Sequence, residues 1–519
     1  MLGSWQLHDE YLAILHKYDA YVLSDPISAA EWAALKPLRR KLANLNVDSL
    51  HDFFSGFFSS TGRPANLQPQ IFRSFILMSL KGYTSLTNWV DLLEESPRLA
   101  FLIGCDPAGY LGNPIPIPSL GSHYNFISRL WSDNSFERLH SGRSLKALLP
   151  STFYKKLKET SDKINEKKKA GKLKKNVKLE ESNPKITDRL TAWASSGRDF
   201  PLYFEKNVQQ LFFLSAVQPS IDRGLIPTDG LTVSGDGSSW HIHSNPNGHR
   251  PTSDEYQALP YDDCPRFFQD PEANFGWDSD LGTGYYGYTL YMLCSHNVDA
   301  GIDLPLHIRV TSAARNDAIT GIIALHEFFQ LHPEIQVRNV CLDSAHDNKP
   351  TYTWLESLGS RPFIDLNSNR GRKKSVEGET TSVDEDGNII PKCKADIEMV
   401  RNGNDYTRMR TKYRCPLKSG LIESCPYETE CCKTDYGRTV YVNWTDNPRL
   451  NTPVPRDSDE YKEVYKNRTS CERCNKRVLI DYGLEQWYGH TRMRASFMAM
   501  LAGICIHLDA QVKVADAAA

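Results

Sequence analysis

Three carboxylates sit where they could do chemistry. Asp236 lies between Gly235 and Gly237, inside an alternating stretch from Leu231 to His243 that reads as a strand. Asp343 closes the apolar run Val340-Cys-Leu342. Glu472 falls in a helical pattern with Tyr465, Arg468, Arg473, Lys476 and Arg477. Arg468 is four residues before it and Lys476 four after, so all three share one helix face. Singly, each has a plain structural reading: Asp236 as a turn, Asp343 as a helix cap, Glu472 as a rung in a surface ion-pair ladder. Together they have the makings of a site for two hard divalent cations, which activate a water and stabilise the leaving oxygen in phosphodiester cleavage. The flanking glycines leave Asp236 without bulky neighbours, which suits close approach by a large substrate. Asp347 can cap the helix that follows, leaving Asp343 free for another task.

The cysteines are the second signal. The chain has 12, and Met1 to Glu10 shows no basic start followed by an apolar core, so thiols or metal ligands are expected rather than disulfides. Cys393, Cys415, Cys425, Cys431 and Cys432 fall within 40 residues, where an even spread would place about one. Structural zinc takes four tetrahedral thiolate or imidazole ligands. Cys471-x-x-Cys474 brackets Glu472 and adds a further pair of candidates. The spacings match no standard finger, and free thiols on a loop-rich insertion are the alternative. His241 and His243 share a strand face as a metal pair or as solvent-facing residues, although magnesium does not favour imidazole.

These groups need elements to hold them. Residues 1–150 read as helical, with Ile71, Phe72, Phe75, Ile76, Met78 and Leu80 crowding one helix. Gly82-Tyr-Thr-Ser85 then makes a turn, and Ser85 or Thr84 caps a second helix, Leu86 to Leu93. A third candidate helix starts at Ser119 or Ser122. This is either a helix-turn-helix DNA binder or an ordinary bundle. Residues 151–190 carry 13 Lys or Arg against six acids, as a basic arm on phosphate or as a solvated linker. From residue 191 to 366 the expected strands are Leu231–His243, Tyr285–Leu293, Leu304–Val310, Val337–Leu342 and Pro362–Leu366, with a helix from Asn316-Asp317 and another through Trp354 to Leu358. That is an α/β order. A Cys-rich, basic insertion with expected β-structure spans 367–457, its Arg401, Arg408, Arg410, Lys412 and Arg414 interleaved with Tyr406 and Tyr413. Helix returns over 458–519.

Composition bounds the rest. At roughly 100–200 residues per domain, the chain predicts about three domains. Lys plus Arg is 61 against 63 acids, a net charge of −2, which excludes a uniformly basic coat protein. The longest apolar run, Phe497 to Ile506, is 10 residues against the ~20 of a membrane span, so a soluble, cytoplasmic chain is expected.

Asp on the first strand, Asp after the fourth and Glu on a late helix is the order of a ribonuclease H-like nuclease core. On these residues the sequence resembles a bacterial insertion-sequence transposase of the DDE type. The resemblance covers most of the chain: Gly62-Arg-Pro64 and Leu80-x-Gly82-x-x-Ser85-Leu86, then Asp236, then Leu342-Asp-Ser344 with Asp347. Tyr465-x-x-Arg468-x-x-x-Glu472 is similar to the Tyr-Arg-Glu-Lys signature of the hairpin-forming cut-and-paste group. That group places a Lys seven residues after the Glu; Leu479 stands there, with Lys476 and Arg477 nearest. The resemblance implies catalytic Asp236, Asp343 and Glu472 holding two Mg2+ or Mn2+ ions, and Tyr465, Arg468, Lys476 and Arg477 on DNA. It also implies transposon ends and target DNA as partners, and a homodimer assembled on bacterial DNA. A non-catalytic zinc-containing DNA binder derived from a transposase, or a stand-alone ribonuclease H-like nuclease, are the competing readings.

Overall fold

The computed structural model describes residues 1–24, 29–130, 166, 186–197, 205–247, 268–367, 380–383 and 388–518, leaving out positions 111, 271, 279 and 280. Most of the basic 151–190 segment and the acidic turn at 384–387 lie outside the described residues.

The central sheet is built from β1 (Leu231–His241), β2 (Asn274–Asp278), β3 (Thr283–Asn297), β4 (Ile302–Ser312), β5 (Val337–Leu342) and β6 (Arg361–Ile364). Its order is β2-β3-β1-β5-β6, with β4 also on β3. The pairings of β1, β2 and β4 with β3 are antiparallel, while β1–β5 and β5–β6 are parallel. A mixed α/β fold results. β3 and β4 run a few residues longer than expected, β5 matches, β1 and β6 end two residues early, and β2 was not expected. It is short, and Phe275 and Trp277 are exposed on it.

Alternation along β1 assigns its two faces. Ser234 touches Ser470 and Cys471 on one side, whereas Gly237 faces Asp317 on the other. The front holds α1 (His8–Ser24), α2 (Ala29–Ala43), α3 (Leu50–Ser55), α4 (Gln68–Leu80), α5 (Leu86–Glu95), α6 (Pro97–Leu102) and α7 (Leu120–Arg129). Then come α8 (Ile186–Ser195), α9 (Lys206–Phe212), α10 (Gln218–Asp222), α11 (Asp317–Leu331) and α12 (Lys349–Ser357). The chain closes with α13 (Glu428–Cys431), α14 (Asp459–Tyr465), α15 (Thr469–Lys476) and α16 (Arg492–Ala518).

The helical front is not packed as a separate body. One apolar cluster runs from Tyr11 to Ala510 and joins the front helices to the sheet. Its centre is α16, which packs on β4 and α4, with Phe75 and Phe497 ring centroids 4.8 Å apart. Among the described residues, α16 is the one helix long and apolar enough to cross a membrane, and 89% of its apolar window is buried in the protein. A helix apolar all round is explained by such a core position.

Burial also separates the two readings of the α4–turn–α5 unit. Ser85 caps α5 as expected, its Oγ accepting from the Asn88 N–H at 3.4 Å. However, α4 is buried along nearly its whole length, and the exposed face of α5 carries Asp91, Glu94 and Glu95. An acidic face is repelled by phosphate. Burial of α4 and the acid-rich outer face of α5 favour the bundle reading.

Between β6 and α14 the chain makes a lobe. It holds a hairpin, β7 (Thr381–Val383) with β8 (Ile389–Pro391), and a three-stranded antiparallel sheet of β9 (Val400–Asp405), β10 (Arg410–Arg414) and β11 (Thr439–Asn443). Its own apolar cluster is small: Leu366, Ile389 and Leu450, with Val442 against them.

Candidate active site

The site begins with strand register. Gly235 on β1 lies beside Leu342 on β5 in a parallel pair. Asp236, the next residue along β1, is therefore set beside Asp343, the residue that follows β5, at the carboxyl end of β5, where sites gather in α/β sheets. The glycines do something other than clear a path for substrate. A Cβ on Gly235 would lie 2.7 Å from the Tyr291 hydroxyl and 2.8 Å from Leu342 Cδ2, and one on Gly237 would lie 2.5 Å from Asp317 Oδ1. They make room for neighbours that hold the site.

Those neighbours form a connected set. Asp343 Oδ1 accepts from the Ala345 N–H at 3.1 Å and meets His346 Nδ1 at 2.5 Å. His346 Nε2 lies 2.9 Å from the Tyr291 hydroxyl. Asp343 is thus itself a cap, and Asn348 caps α12 through the Thr351 N–H at 3.1 Å. Asp347 is not that cap: it is buried against Arg449.

Charge follows geometry. Burial, then the adjacent Asp343, push the Asp236 carboxyl up to about 7, with Asp317 adding to the rise and His346 and Arg468 opposing it. Burial also acts to raise Asp343, but the hydrogen bond and charge of His346 outweigh it, and Asp343 lies below its ordinary value. Asp317 is raised, first by burial. Burial alone would lower His346, yet Asp343, Asp317 and Asp236 together raise it. One carboxylate of the strand-end pair is held ionised while the other resists ionisation.

Glu472 approaches from α15 on the opposite side of Arg468. The guanidinium lies 2.7 Å from Glu472 Oε1 and 3.8 Å from Asp236 Oδ2. Glu472 is half exposed, while Asp236 is mostly buried. Among the described residues, no three His, Cys, Asp or Glu side chains are gathered closely enough to hold a metal ion as they stand. Arg468 occupies the space between Asp236 and Glu472. The helix continues from α15 into a wide turn, Arg477–Asp481, a local unwinding common near functional sites.

The remaining sequence candidates have definite places. The Tyr465 hydroxyl donates to the Leu342 carbonyl at 3.2 Å, which ties α14 to the strand end beside Asp343. Lys476 is exposed on α15. Arg477 pairs with Asp509 at 2.5 Å, turned toward α16. Cys471 and Cys474 are fully buried in the main core, where the Cys471 thiol donates to the Met292 carbonyl at 3.4 Å; they belong to a different part of the molecule from the insertion's cysteines. His241 stacks on Tyr285 and meets Asp278 at 3.3 Å, and His243 stacks on Tyr488; the two are not a ligand pair. On the lobe, Arg410, Lys412 and Arg414 alternate along β10 and lie over the rings of Tyr441 and Tyr436, at 3.9, 4.4 and 4.2 Å from the centroids. Cations backed by aromatic faces suit a nucleic-acid surface.

Asp317 and His346 went unrecognised in the sequence as site residues. The signal for His346 was its position three residues after Asp343, within hydrogen-bond reach across one turn. Asp317 showed only as a helix start.

Two consequences are measurable. A Cβ on Gly321 of α11 would meet the Tyr291 hydroxyl at 2.6 Å and His346 Nε2 at 2.7 Å. Gly321→Ala should therefore part that hydrogen bond and cost about 1–3 kcal/mol in denaturant unfolding. An unchanged midpoint would mean that the pair can move aside freely. The second concerns pH. The unfolded Asp236 titrates near 3.8 and the folded one near 7, so the folded state binds more protons between those values and loses stability as pH rises through them. Asp236→Asn in metal-free buffer should match wild type below about pH 4. It should then gain a few degrees in Tm as pH rises to 7, and hold that gain above.

A family model described as a transposase DDE domain matches residues 229–508, more than half of the chain. A search of curated proteins found no match.

Proposed function

Because the chain belongs to the transposase DDE-domain family, we propose that it binds the ends of an insertion sequence, cleaves the DNA there and joins the freed 3′-hydroxyl to target DNA. The observation that carries this reading is Asp236, within β1, set beside Asp343 at the end of the parallel strand β5, with Glu472 facing Asp236 across Arg468. A ribonuclease H-like core accounts for the sheet order.

The donor set fits a hard divalent cation: two adjoining carboxylates, one of them raised first by burial and then by the charge of the other. Asp236 and Asp343 would hold Mg2+ or Mn2+, and Glu472 would join them once released from Arg468. Bound there as a pair, such ions activate the attacking oxygen and stabilise the leaving one. The protein's own groups supply position. His346, steadied by Tyr291, fixes the Asp343 carboxylate. Tyr465 fixes the end of β5. Arg468 gives up Glu472 for a DNA phosphate beside the scissile bond, and Lys476, one turn further along the helix, follows the backbone in place of the signature Lys missing at Leu479. The β10 cations grip the flanking duplex, a contact that weakens as salt rises. Cleavage and joining are both in-line transfers that rely on positioning and need no covalent enzyme intermediate. Two copies, one on each end, act together on bacterial DNA in the cytoplasm.

The test uses purified protein, Mg2+ or Mn2+, and DNA carrying the inverted repeats that flank the reading frame. Nicks at the repeat ends and strand-joined products are expected. Tight binding to the repeats with no cleavage in either metal would leave a DNA-binding relic instead.

A further inference from the structure

All five cysteines of the insertion line one small cavity in the lobe, together with Lys394 and Arg438. None forms a disulfide; Cys415 and Cys432 approach to 3.5 Å between sulfurs, well beyond the ~2.05 Å of a bond. The backbone around them is arranged in tight turns. Asp396 N–H returns to the Cys393 carbonyl at 2.9 Å, Ser419 N–H to that of Cys415 at 3.0 Å, and Glu428 N–H to that of Cys425 at 3.2 Å. The Cys415 N–H donates to the Arg438 carbonyl at 2.9 Å. A Cβ on Gly437 would fall 3.0 Å from that of Cys415, so a glycine is needed where these turns meet.

We propose that the lobe is a structural zinc module in which Cys393, Cys415, Cys425 and Cys432, which share one cavity but are not yet within common coordination reach, draw in around one Zn2+ ion. Geometry chooses the four. Cys431 ends α13 and Cys432 follows it as a non-helical cap, so the two side chains set out in different directions and one ion takes only one of them. Cys432 is the one in contact with Cys415. Cys431 instead lies by Lys394 and stays outside the set. Four thiolates on Zn2+ carry a net double negative charge, and Arg438 lines the cavity wall beside them, while Lys394 there is shared with Glu430. The need is physical: the lobe's apolar cluster, Leu366, Ile389 and Leu450, is small, and Val383, Met399, Tyr413 and Trp444 are buried apart from it, while ligand binding that exists only in the folded state is itself folding free energy. The ion would act on the lobe's fold and leave the carboxylate chemistry to the sheet.

Full-length protein purified without chelator should hold about one equivalent of zinc per chain by elemental analysis. Cobalt supplied in its place should give the intense visible bands and sulfur charge-transfer absorption of a tetrahedral thiolate site. Cys393→Ser, Cys415→Ser, Cys425→Ser and Cys432→Ser should each cut retained zinc at least fivefold. Cys431→Ser and the Asp236→Asn/Asp343→Asn pair should keep it, the latter separating this site from the strand-end carboxylates. Should any of the four variants misfold, the cobalt spectrum of the wild type still decides. Less than a tenth of an equivalent of zinc, a cobalt spectrum without thiolate bands, or full retention by Cys432→Ser would each overturn the proposal.

Discussion

Asp236→Ala, Asp343→Ala and Glu472→Ala should each lower Mg2+-dependent cleavage of end-containing DNA by about 1,000-fold or more, because each removes several kcal/mol of transition-state stabilisation. Binding to the same DNA, measured at fixed salt, should change by less than threefold. These three contribute no positive charge to the phosphate contacts that dominate affinity. Glu472→Ala should, if anything, tighten binding, since it releases the Arg468 guanidinium now held at 2.7 Å. Arg468→Ala should show the complementary pattern, with weaker binding and a shallower salt dependence. A variant that retained near wild-type cleavage would remove that residue from the site. Loss of cleavage and binding together would instead point to a folding defect, which circular dichroism would reveal.

Much of this site was legible in the residues themselves, and the limits of that legibility have physical causes. The strand ending at Leu342 was bounded by an apolar run followed by a polar one, and burial on both faces of a parallel strand leaves that trace. What no local pattern carries is the register between strands. Gly235 meets Leu342 because distant segments pack, and only then do Asp236 and Asp343 adjoin. Asp317 and His346 enter the site by the same route, through a helix start and a turn whose partners lie elsewhere in the chain.

Cys471 and Cys474 illustrate a signal that was present and given the wrong meaning. Their i, i+3 spacing places both sulfurs on one helix side, which suited ligands. Val478 continues that same stripe, and all three are fully buried, so the periodicity was that of a core face. Asp347 is similar. Position before a helix suggested a cap, but Asn348, followed by Pro350 in the first turn, had the stronger claim, and displacing Asp347 from that role exposed its actual one.

That role is to join lobe and core, and breaking it should have the largest effect on stability. Asp347 is fully buried, and Arg449 of the lobe meets it with two bonds, Nε at 2.8 Å and Nη2 at 2.5 Å. The Asn367 N–H donates to the same carboxylate at 2.9 Å, exactly where the chain leaves the core for the lobe. Removing one partner of a buried pair strands the other charge at a cost of about 3–5 kcal/mol, whereas replacing both is often nearly neutral. Arg449→Met should therefore destabilise by roughly 3 kcal/mol, the lower end, since Asn367 and the nearby Arg456 still face the carboxylate. Asp347→Asn/Arg449→Met should recover most of that loss, because the amide oxygen can still accept from Asn367. Hydrogen exchange gives the spatial test. In the single variant, amides of β9, β10 and β11 should exchange faster while those of β1, β3 and β5 keep their protection. Uniform acceleration across both sheets would show instead that the pair supports the whole fold. An unchanged lobe would mean that Leu366, Ile389 and Leu450 hold it in place without the ion pair.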